Sequence, residues 1–380
     1  MEIITPFKDA IDAIKAAGGQ AFKYCYQCGT CDSVCPWNRV TKFSMRKIAR
    51  EAAFGVPEID GEDMWRCTTC GRCPDRCPRG VETMDVSISF RRIAQEAGIS
   101  PGPVHTVATS LLAEGNPLRE QRSTRADWAS ELGVKTFTEG MEFLYFPCCY
   151  NSFDRRMRKA TKATVEILNK AGVDFGILGT KETCCGESIR KTGAEDLFKQ
   201  LAKENIKNFI DAGVKKIVVS SPHCYNAFKK EYAQFKVNFE VLHITEVLFD
   251  LIKSSRLKFE KPYEKKITWH DPCYLGRHNG IYDQPRESLK MIPGLELVEM
   301  ADKRRDSLCC GGGGGRIWME TAKGERFSDL RIKQATDIGV NEIVTACPYC
   351  ITMLEDSKLG LEDSDNFFIK DITEVIREAI

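Results

Sequence analysis

Two stretches of this chain hold thiols at a spacing that points to iron–sulfur chemistry. "CYQCGTCDSVCP" places Cys25, Cys28, Cys31 and Cys35 at C-x2-C-x2-C-x3-C-P, and "CTTCGRCPDRCP" repeats the spacing with Cys67, Cys70, Cys73 and Cys77. In such a run the first three cysteines wrap one [4Fe–4S] cube and the fourth ligates the other. The expected sets are therefore crossed. Cys25, Cys28, Cys31 and Cys77 would hold one cubane, and Cys67, Cys70, Cys73 and Cys35 the second. Pro36 and Pro78 are expected to keep a helix from starting inside each ligand loop. Zinc is the competing metal, but its structural sites use two separated C-x2-C knuckles.

A third stretch, "SLCCGGGGGR", runs the adjacent Cys309 and Cys310 straight into five glycines. A glycine run alone reads as a flexible linker, which has no use for paired thiols at its mouth. With Cys273, Cys347 and Cys350 the pair forms C-x35-CC-x36-C-x2-C. Five thiolates are one more than a cubane needs. Neighbouring residues of an extended chain point to opposite faces, so two adjacent sulfurs reach one centre only where the backbone folds tightly around it. Gly311, Gly312 and Gly313 are expected to permit that, by unusual φ angles and by bare N–H groups close to cluster sulfur.

These thiols must be positioned by a repeated unit. "GVKKIVVSSPHCYNAF" from Gly213 matches "GVNEIVTACPYCITML" from Gly339, "ETCCG" at 182–186 returns as "SLCCG" at 307–311, and "ITEV" at 244–247 returns at 372–375. The offset stays between 125 and 128 residues, which marks a duplicated domain. Each unit reads as strand, cysteine loop, helix, strand, CC pair, helix, strand and final cysteines. The strands are "FLYF", "VDFGIL" and "KKIVVSS", then "ITW", "LELVEM" and "NEIVTA". Alternating strands and helices predict α/β units with parallel sheets, and ligands of such sheets gather at the carboxyl ends of strands. Ahead of the repeat, the spacer "SMRKIAREAAFGVPEIDGEDMW" starts as an amphipathic helix, and "VETMDVSISFRRIAQEAG" gives another that ends at Gly98. The fold expected is thus α+β: a helical ferredoxin-like module over 1–100, a linker over 101–140, and two α/β domains over 141–258 and 259–380.

Composition narrows the setting. Eighteen cysteines in a chain whose start, "MEIITPFKDAIDAIKAAGG", lacks a signal-peptide core are unlike a disulfide framework. A formal net charge of +1 gives no support to nucleic-acid binding. No run of 18 apolar residues spans a membrane. The reading is a cytoplasmic protein that meets a membrane only through a partner.

With "HDPCYLGR", "CCGGGGGR" and "CPYC" in place, the chain resembles the catalytic D subunit of heterodisulfide reductases, which joins two ferredoxin-type clusters to two CCG domains. The resemblance covers nearly the whole chain. It implies that Cys273, Cys309, Cys310, Cys347 and Cys350 hold a non-cubane [4Fe–4S] cluster, the place where that family cleaves a disulfide. The first unit departs from the pattern: Ser221 in "SPHC" stands where a cysteine belongs, leaving Cys149, Cys184, Cys185 and Cys224, with Cys148 as an extra. Four thiolates suit an ordinary cubane. A non-cubane cluster there would need Ser221 or Cys148 as a substitute. The resemblance further implies anaerobic metabolism and redox partner subunits: a flavoprotein, heterodisulfide reductase A-like or electron-transfer flavoprotein, or a benzoyl-CoA-reductase-type complex.

Two functions follow, a wire between a donor and a separate catalytic subunit, or the catalytic subunit of a disulfide or thiol oxidoreductase. Ser221 favours the wire and the complete second motif favours catalysis. No dinucleotide fingerprint appears outside the glycine run, so a flavin or nicotinamide would come from a partner. His270, His278 and His223 sit beside the cysteines as candidate proton donors or as backbone-bonded bystanders. Arg277, Arg316 and Arg190 are candidates for binding an anion or facing a cluster. The basic runs "DRRMRK" and "DKRR" read as solvated faces or docking sites.

Overall fold

The computed structural model describes residues 5–56, 58 and 61–380; the first four residues of the N-terminal segment, and Pro57, Ile59 and Asp60 of the spacer, lie outside it. The N-terminal module is helical. Lys8–Ile14, Met45–Phe54 and Thr83–Glu96 surround a core that includes Trp37, Phe43, Ile48 and Phe90. The helix expected in the spacer is Met45–Phe54. Ser44 caps it by accepting from the Lys47 N–H, and Gly55 ends it in the left-handed conformation at φ 67°.

Each repeat folds as a four-stranded parallel sheet with helices. In the first, β1 (Phe143–Phe146), β2 (Phe175–Gly176), β3 (Lys216–Val219) and β4 (Glu240–His243) lie in the order β2-β1-β3-β4. In the second, β5 (Lys266–Trp269), β6 (Glu296–Leu297), β7 (Glu342–Thr345) and β8 (Phe368–Asp371) repeat it as β6-β5-β7-β8. The register is equivalent: Leu144 pairs with Ile217, and Thr268 with Ile343. Central strands buried on both faces read as continuous apolar runs, which is why "FLYF" and "KKIVVSS" were legible. β4 and β8 were not foreseen. They are edge strands of four residues, EVLH and FIKD, whose exposure alternates along the strand although their polarity does not. Their position accounts for the repeated "ITEV". His243 and Asp371, at the strand ends, cap the following helices, and Glu246 and Glu374 accept from the cap N–H groups at 2.9 Å.

The segment 101–140, expected as a linker, is folded. It carries the helix Gly102–Glu114 and a short helix Asp127–Ser130, and Trp128 and Phe137 join the first unit's core. The module and the units also share a core: Cys67, Cys70, Phe90, Ile189, Leu201, Cys273 and Cys309 belong to one buried cluster. Both basic runs are used inside the protein. Arg305 pairs with Asp75 at 2.6 Å, Asp302 with Arg39 at 2.5 Å, and Arg156 with Glu355 and Glu374 of the second unit at 2.8 and 3.0 Å.

Arg91 is the staple of this arrangement. It is fully buried, and its guanidinium donates to four carbonyl oxygens: Met64 at 3.0 Å and Cys67 at 2.7 Å in the module, Lys191 at 2.9 Å in the first unit, and Gly314 at 2.9 Å in the second. Carbonyl oxygens, with no carboxylate among these acceptors, solvate the charge, and burial lowers its pKa to about 10. Arg91→Met should leave these acceptors without their donor, at a cost of at least ~3 kcal/mol. The measurement is thermal unfolding with hydrogen exchange: a lowered Tm, and exchange protection lost together at Cys67–Thr69, Lys191 and Gly314. Protection lost in the module alone would show that Arg91 does not join the three parts.

Candidate metal centres

The eight cysteines of the module line two cavities. Cys25, Cys28, Cys31 and Cys77 surround one, and Cys35, Cys67, Cys70 and Cys73 the other. The structure thus brings together the two crossed sets read from the spacing. Each loop turns on left-handed residues, Gln27 and Gly29 in the first and Thr69 and Gly71 in the second, and, contrary to expectation, holds a short helix, Thr30–Val34 and Arg72–Arg76, that ends before Pro36 and Pro78 respectively. Polar groups face the sulfurs. Gln27 Nε2 donates to Cys25 at 3.3 Å, the Val81 N–H to Cys77 at 3.3 Å, and Thr83 Oγ1 to Cys73 at 2.9 Å. Sulfur acceptors ringed by donors suit thiolates that carry cluster charge. The two cavities differ in exposure. Cys28 is exposed and flanked by Tyr24 and Tyr26, 60% and 58% accessible, whereas Cys67 and Cys70 are buried.

The ten remaining cysteines gather after β1, β3, β5 and β7, where the strand-end rule put them, and at the two CC loops. In the second unit the sulfurs form an unbroken series. Cys273 meets Cys309, Cys309 meets Cys310, Cys310 lies 3.4 Å from Cys350, and Cys350 meets Cys347. All five are buried. Five buried thiols in a continuous series of contacts fit a metal–sulfur centre: ionised together they would repel, and a cation relieves both repulsion and burial. In the first unit Cys149, Cys184, Cys185 and Cys224 are likewise linked, and the extra Cys148 meets Cys224.

The glycine run serves two purposes. Gly311 is left-handed at φ 100°, and its N–H donates to Cys309 Sγ at 3.3 Å, as the Gly186 N–H does to Cys184 at 3.4 Å in the first unit. Gly312 and Gly313 have ordinary φ angles. Gly312 faces Met353 and its N–H donates to the Cys310 sulfur, and Gly313 lies against the Thr68 carbonyl of the module, where a Cβ would collide. Gly314 presses in the same way on the Cys67 carbonyl. Two of the five glycines therefore let the second unit approach the module. There Cys309 reaches Cys70 directly and lies 3.8 Å from Thr68 Oγ1.

The flanking histidines and arginines have definite tasks. His270 accepts from Arg331 Nε at its Nδ1, 3.1 Å away, which fixes the proton on Nε2. That Nε2 is buried without a partner, and the ring offers a nitrogen within 4.8 Å of the Cys310 and Cys350 sulfurs. The ring thus lies beside the sulfur set with an unpaired N–H. Burial and then Arg331 hold its pKa well below the ordinary histidine value. His278 accepts no cysteine. It stacks on Tyr274 and binds the Thr69 carbonyl at 2.9 Å, and burial lowers its pKa to about 3. His223 spans the units: Nδ1 meets Glu187 at 2.7 Å, and the ring also bonds to Cys347 of the second unit. Burial opposes its charge, but Glu187 and Cys347 raise its pKa to about 10. Arg277 donates to the carbonyls of Cys70 and Ser307 at 2.8 and 2.6 Å, Arg316 to Glu320 O and Thr321, and Arg190 pairs with Glu195. These contacts hold loops together, and Arg277 also faces the sulfurs of Cys70, Cys273 and Cys309. Two residues escaped the sequence reading. Glu187 follows the CCG triplet directly, but nothing in that spacing marks a histidine partner 36 residues away. Arg125, buried in the supposed linker, donates to Cys149 Sγ at 3.4 Å and pairs with Glu182.

Comparison with known proteins agrees with this layout. Residues 143–229 and 267–355 match the cysteine-rich domain family, and residues 21–81 match the 4Fe-4S dicluster domain family. The chain is 40% identical over 361 residues to the probable iron-sulfur-binding oxidoreductase FadF of Bacillus subtilis, covering 90% of this chain and 51% of that protein. It is 39% identical over 337 residues to the EtfAB:quinone oxidoreductase of Syntrophomonas wolfei, covering 85% and 47%. It is 30% identical over 389 residues to the D subunit of the dihydromethanophenazine:CoB–CoM heterodisulfide reductase of Methanosarcina barkeri, covering 94% and 93%. The chain thus spans about half the length of the first two relatives and nearly all of the third.

The glycines supply a test that separates contact from conformation. Gly312→Ala needs only a small shift of the flexible Met353 side chain, 3.1 Å from the new Cβ, and should be nearly silent. Gly313→Ala, also at ordinary φ, should cost about 1–3 kcal/mol by overpacking against fixed backbone. It should also lower the iron bound by the second module site and the second unit together. Equal effects of the two substitutions would contradict the contact role.

Proposed function

The chain belongs to the D-subunit family of heterodisulfide-reductase-type iron–sulfur oxidoreductases, and from that premise we propose that it relays electrons within a larger redox complex. Electrons enter or leave at the exposed module site around Cys28, pass through the buried site of Cys35, Cys67, Cys70 and Cys73, and reach the five-cysteine set of the second unit. The observation that carries this reading is the direct meeting of Cys70 and Cys309 in a shared core. When bound, cubane clusters in the module and a non-cubane cluster in the second unit supply one-electron steps. The residues do the rest. Thiolates hold the iron, backbone N–H groups and Gln27, Thr83 and His270 face the sulfurs, and Arg91 and Arg277 fix the distance between module and unit.

Burial of every cysteine in the second unit favours a relay over direct attack on a disulfide substrate. The catalytic alternative, with Cys273, Cys309, Cys310, Cys347 and Cys350 as the reactive centre, would need a path to these sulfurs. Among the described residues no helix is long and apolar enough to cross a membrane. We place the chain in the cytoplasm, with any membrane contact made by a partner. The partner proposed is a redox protein carrying its own flavin, of electron-transfer flavoprotein or heterodisulfide reductase A type. A benzoyl-CoA-reductase-type complex is the other assembly that the resemblance implies.

Protein purified without oxygen should carry about sixteen irons, four for each of four clusters. Cys70→Ala should remove about four of them and, in stopped-flow reduction by an electron-transfer flavoprotein, slow electron arrival at the centres of both units by at least tenfold. Arrival at the wild-type rate would mean that electrons reach the units by another route.

A further inference from the structure

The sulfur set of the first unit is wired like that of the second, with one member exchanged. In the second unit the series runs Cys273, Cys309, Cys310, Cys350, Cys347. In the first it runs Cys149, Cys184, Cys185, Cys224, Cys148. Cys347 is bonded to Cys350 and is a charge neighbour of Cys310. Cys148 is bonded to Cys224 and is a charge neighbour of Cys185. Cys148 thus holds the place of Cys347, although the repeat aligns Cys347 with Ser221 and Cys148 with Pro272.

The backbone at Cys148 gives an independent reason. It has φ 85° and ψ 155°, in a region essentially reserved for glycine. Side chains of neighbouring residues ordinarily point to opposite faces, yet the Cys148 and Cys149 sulfurs belong to one set. The reversed φ is the local feature that brings them together, and a residue with no task for its side chain would be glycine there. Cys148 is 7% exposed and lies directly before the short helix Cys149–Phe153. Ser221, the alternative, is 1% exposed and its hydroxyl has no hydrogen-bond partner. It borders the set, but a neutral hydroxyl is a harder and weaker ligand for iron in a sulfur cluster than a thiolate.

We infer that Cys148 is the fifth thiolate ligand of the first unit, so that both units build five-thiolate centres and Ser221 is not a ligand. This rests on the reading that the first unit holds an iron–sulfur centre at all. Of the two cluster types that the sequence leaves open there, it selects the non-cubane over the four-thiolate cubane. The fifth ligand has moved from the loop after β3 to the loop after β1, and the strained backbone at Cys148 accompanies the move.

The test uses the full chain, made and kept without oxygen, as wild type, Cys148→Gly, Cys148→Ala and Ser221→Ala. Iron and labile sulfide are counted, and Mössbauer and EPR spectra recorded. Glycine is the substitution of choice because it accepts φ 85° without strain, and alanine controls for flexibility. Both Cys148 variants should lose about a quarter of the iron or exchange one wild-type spectral component for that of a four-thiolate cubane. The module signals should stay intact and Ser221→Ala should match wild type. If either Cys148 variant keeps wild-type iron and spectra, or if Ser221→Ala alone changes them, Cys148 is not the fifth ligand. Wild-type protein with about twelve irons would remove the centre itself, and with it both the earlier reading and this one.

Discussion

Buried thiolates repel one another, and the fold is arranged around that constraint. Ten cysteines of the two units stand in two contiguous groups, nine of them buried. Burial disfavours a thiolate, and each neighbouring thiolate disfavours it further. A packed protein holds such groups ionised only if positive charge enters them. Bound iron would supply most of it, and the chain adds Arg125 beside Cys149 and Arg277 beside Cys70 and Cys273. The parallel sheets follow from the same need, since they collect loops from distant parts of the chain at one edge.

The duplication brings the two groups face to face. His223 of the first unit reaches Cys347 of the second, and Tyr150 packs on Tyr349 with ring centres 5.0 Å apart. The module fits against the same region through the Cys67–Thr69 turn, held by His278, Arg277, Arg91 and the close approach of Gly313 and Gly314. The three parts therefore share one buried core, and among the described residues Cys28, near the exposed Tyr24 and Tyr26, is the one exposed cysteine. Mobile domains joined by a linker would leave cluster separation to chance. Here buried packing holds it.

Local patterns were legible in the sequence. The ferredoxin spacing, the 125–128-residue repeat and the continuous apolar strands are short-range signals, and each led to the residues that the fold assembles. Interfaces were not legible. "DKRR" looks like a solvated run, and nothing local says that Asp302 and Arg305 face Arg39 and Asp75 more than 200 residues away. Arg91 and Arg125 are ordinary arginines in the sequence, and only the tertiary structure buries them. The glycine run reads as a cradle for sulfur. Gly311 and Gly312 act so, their N–H groups donating to Cys309 and Cys310, while Gly313 and Gly314 serve the approach of another domain, which no spacing within the run encodes. The edge strands β4 and β8 are not legible because four residues reading EVLH and FIKD show neither a period-two pattern nor the continuous apolar run of the central strands.

The central claim is that the second module site and the second unit form one electron path through the Cys70–Cys309 contact. Pulsed and continuous-wave EPR of the fully reduced protein tests it most directly, because paramagnetic centres this close must interact. A single path predicts spin–spin broadening or splitting between one module cluster and the second-unit centre, absent from the signal of the exposed module cluster toward that centre. Sharp, independent signals from all centres in the fully reduced state would contradict it.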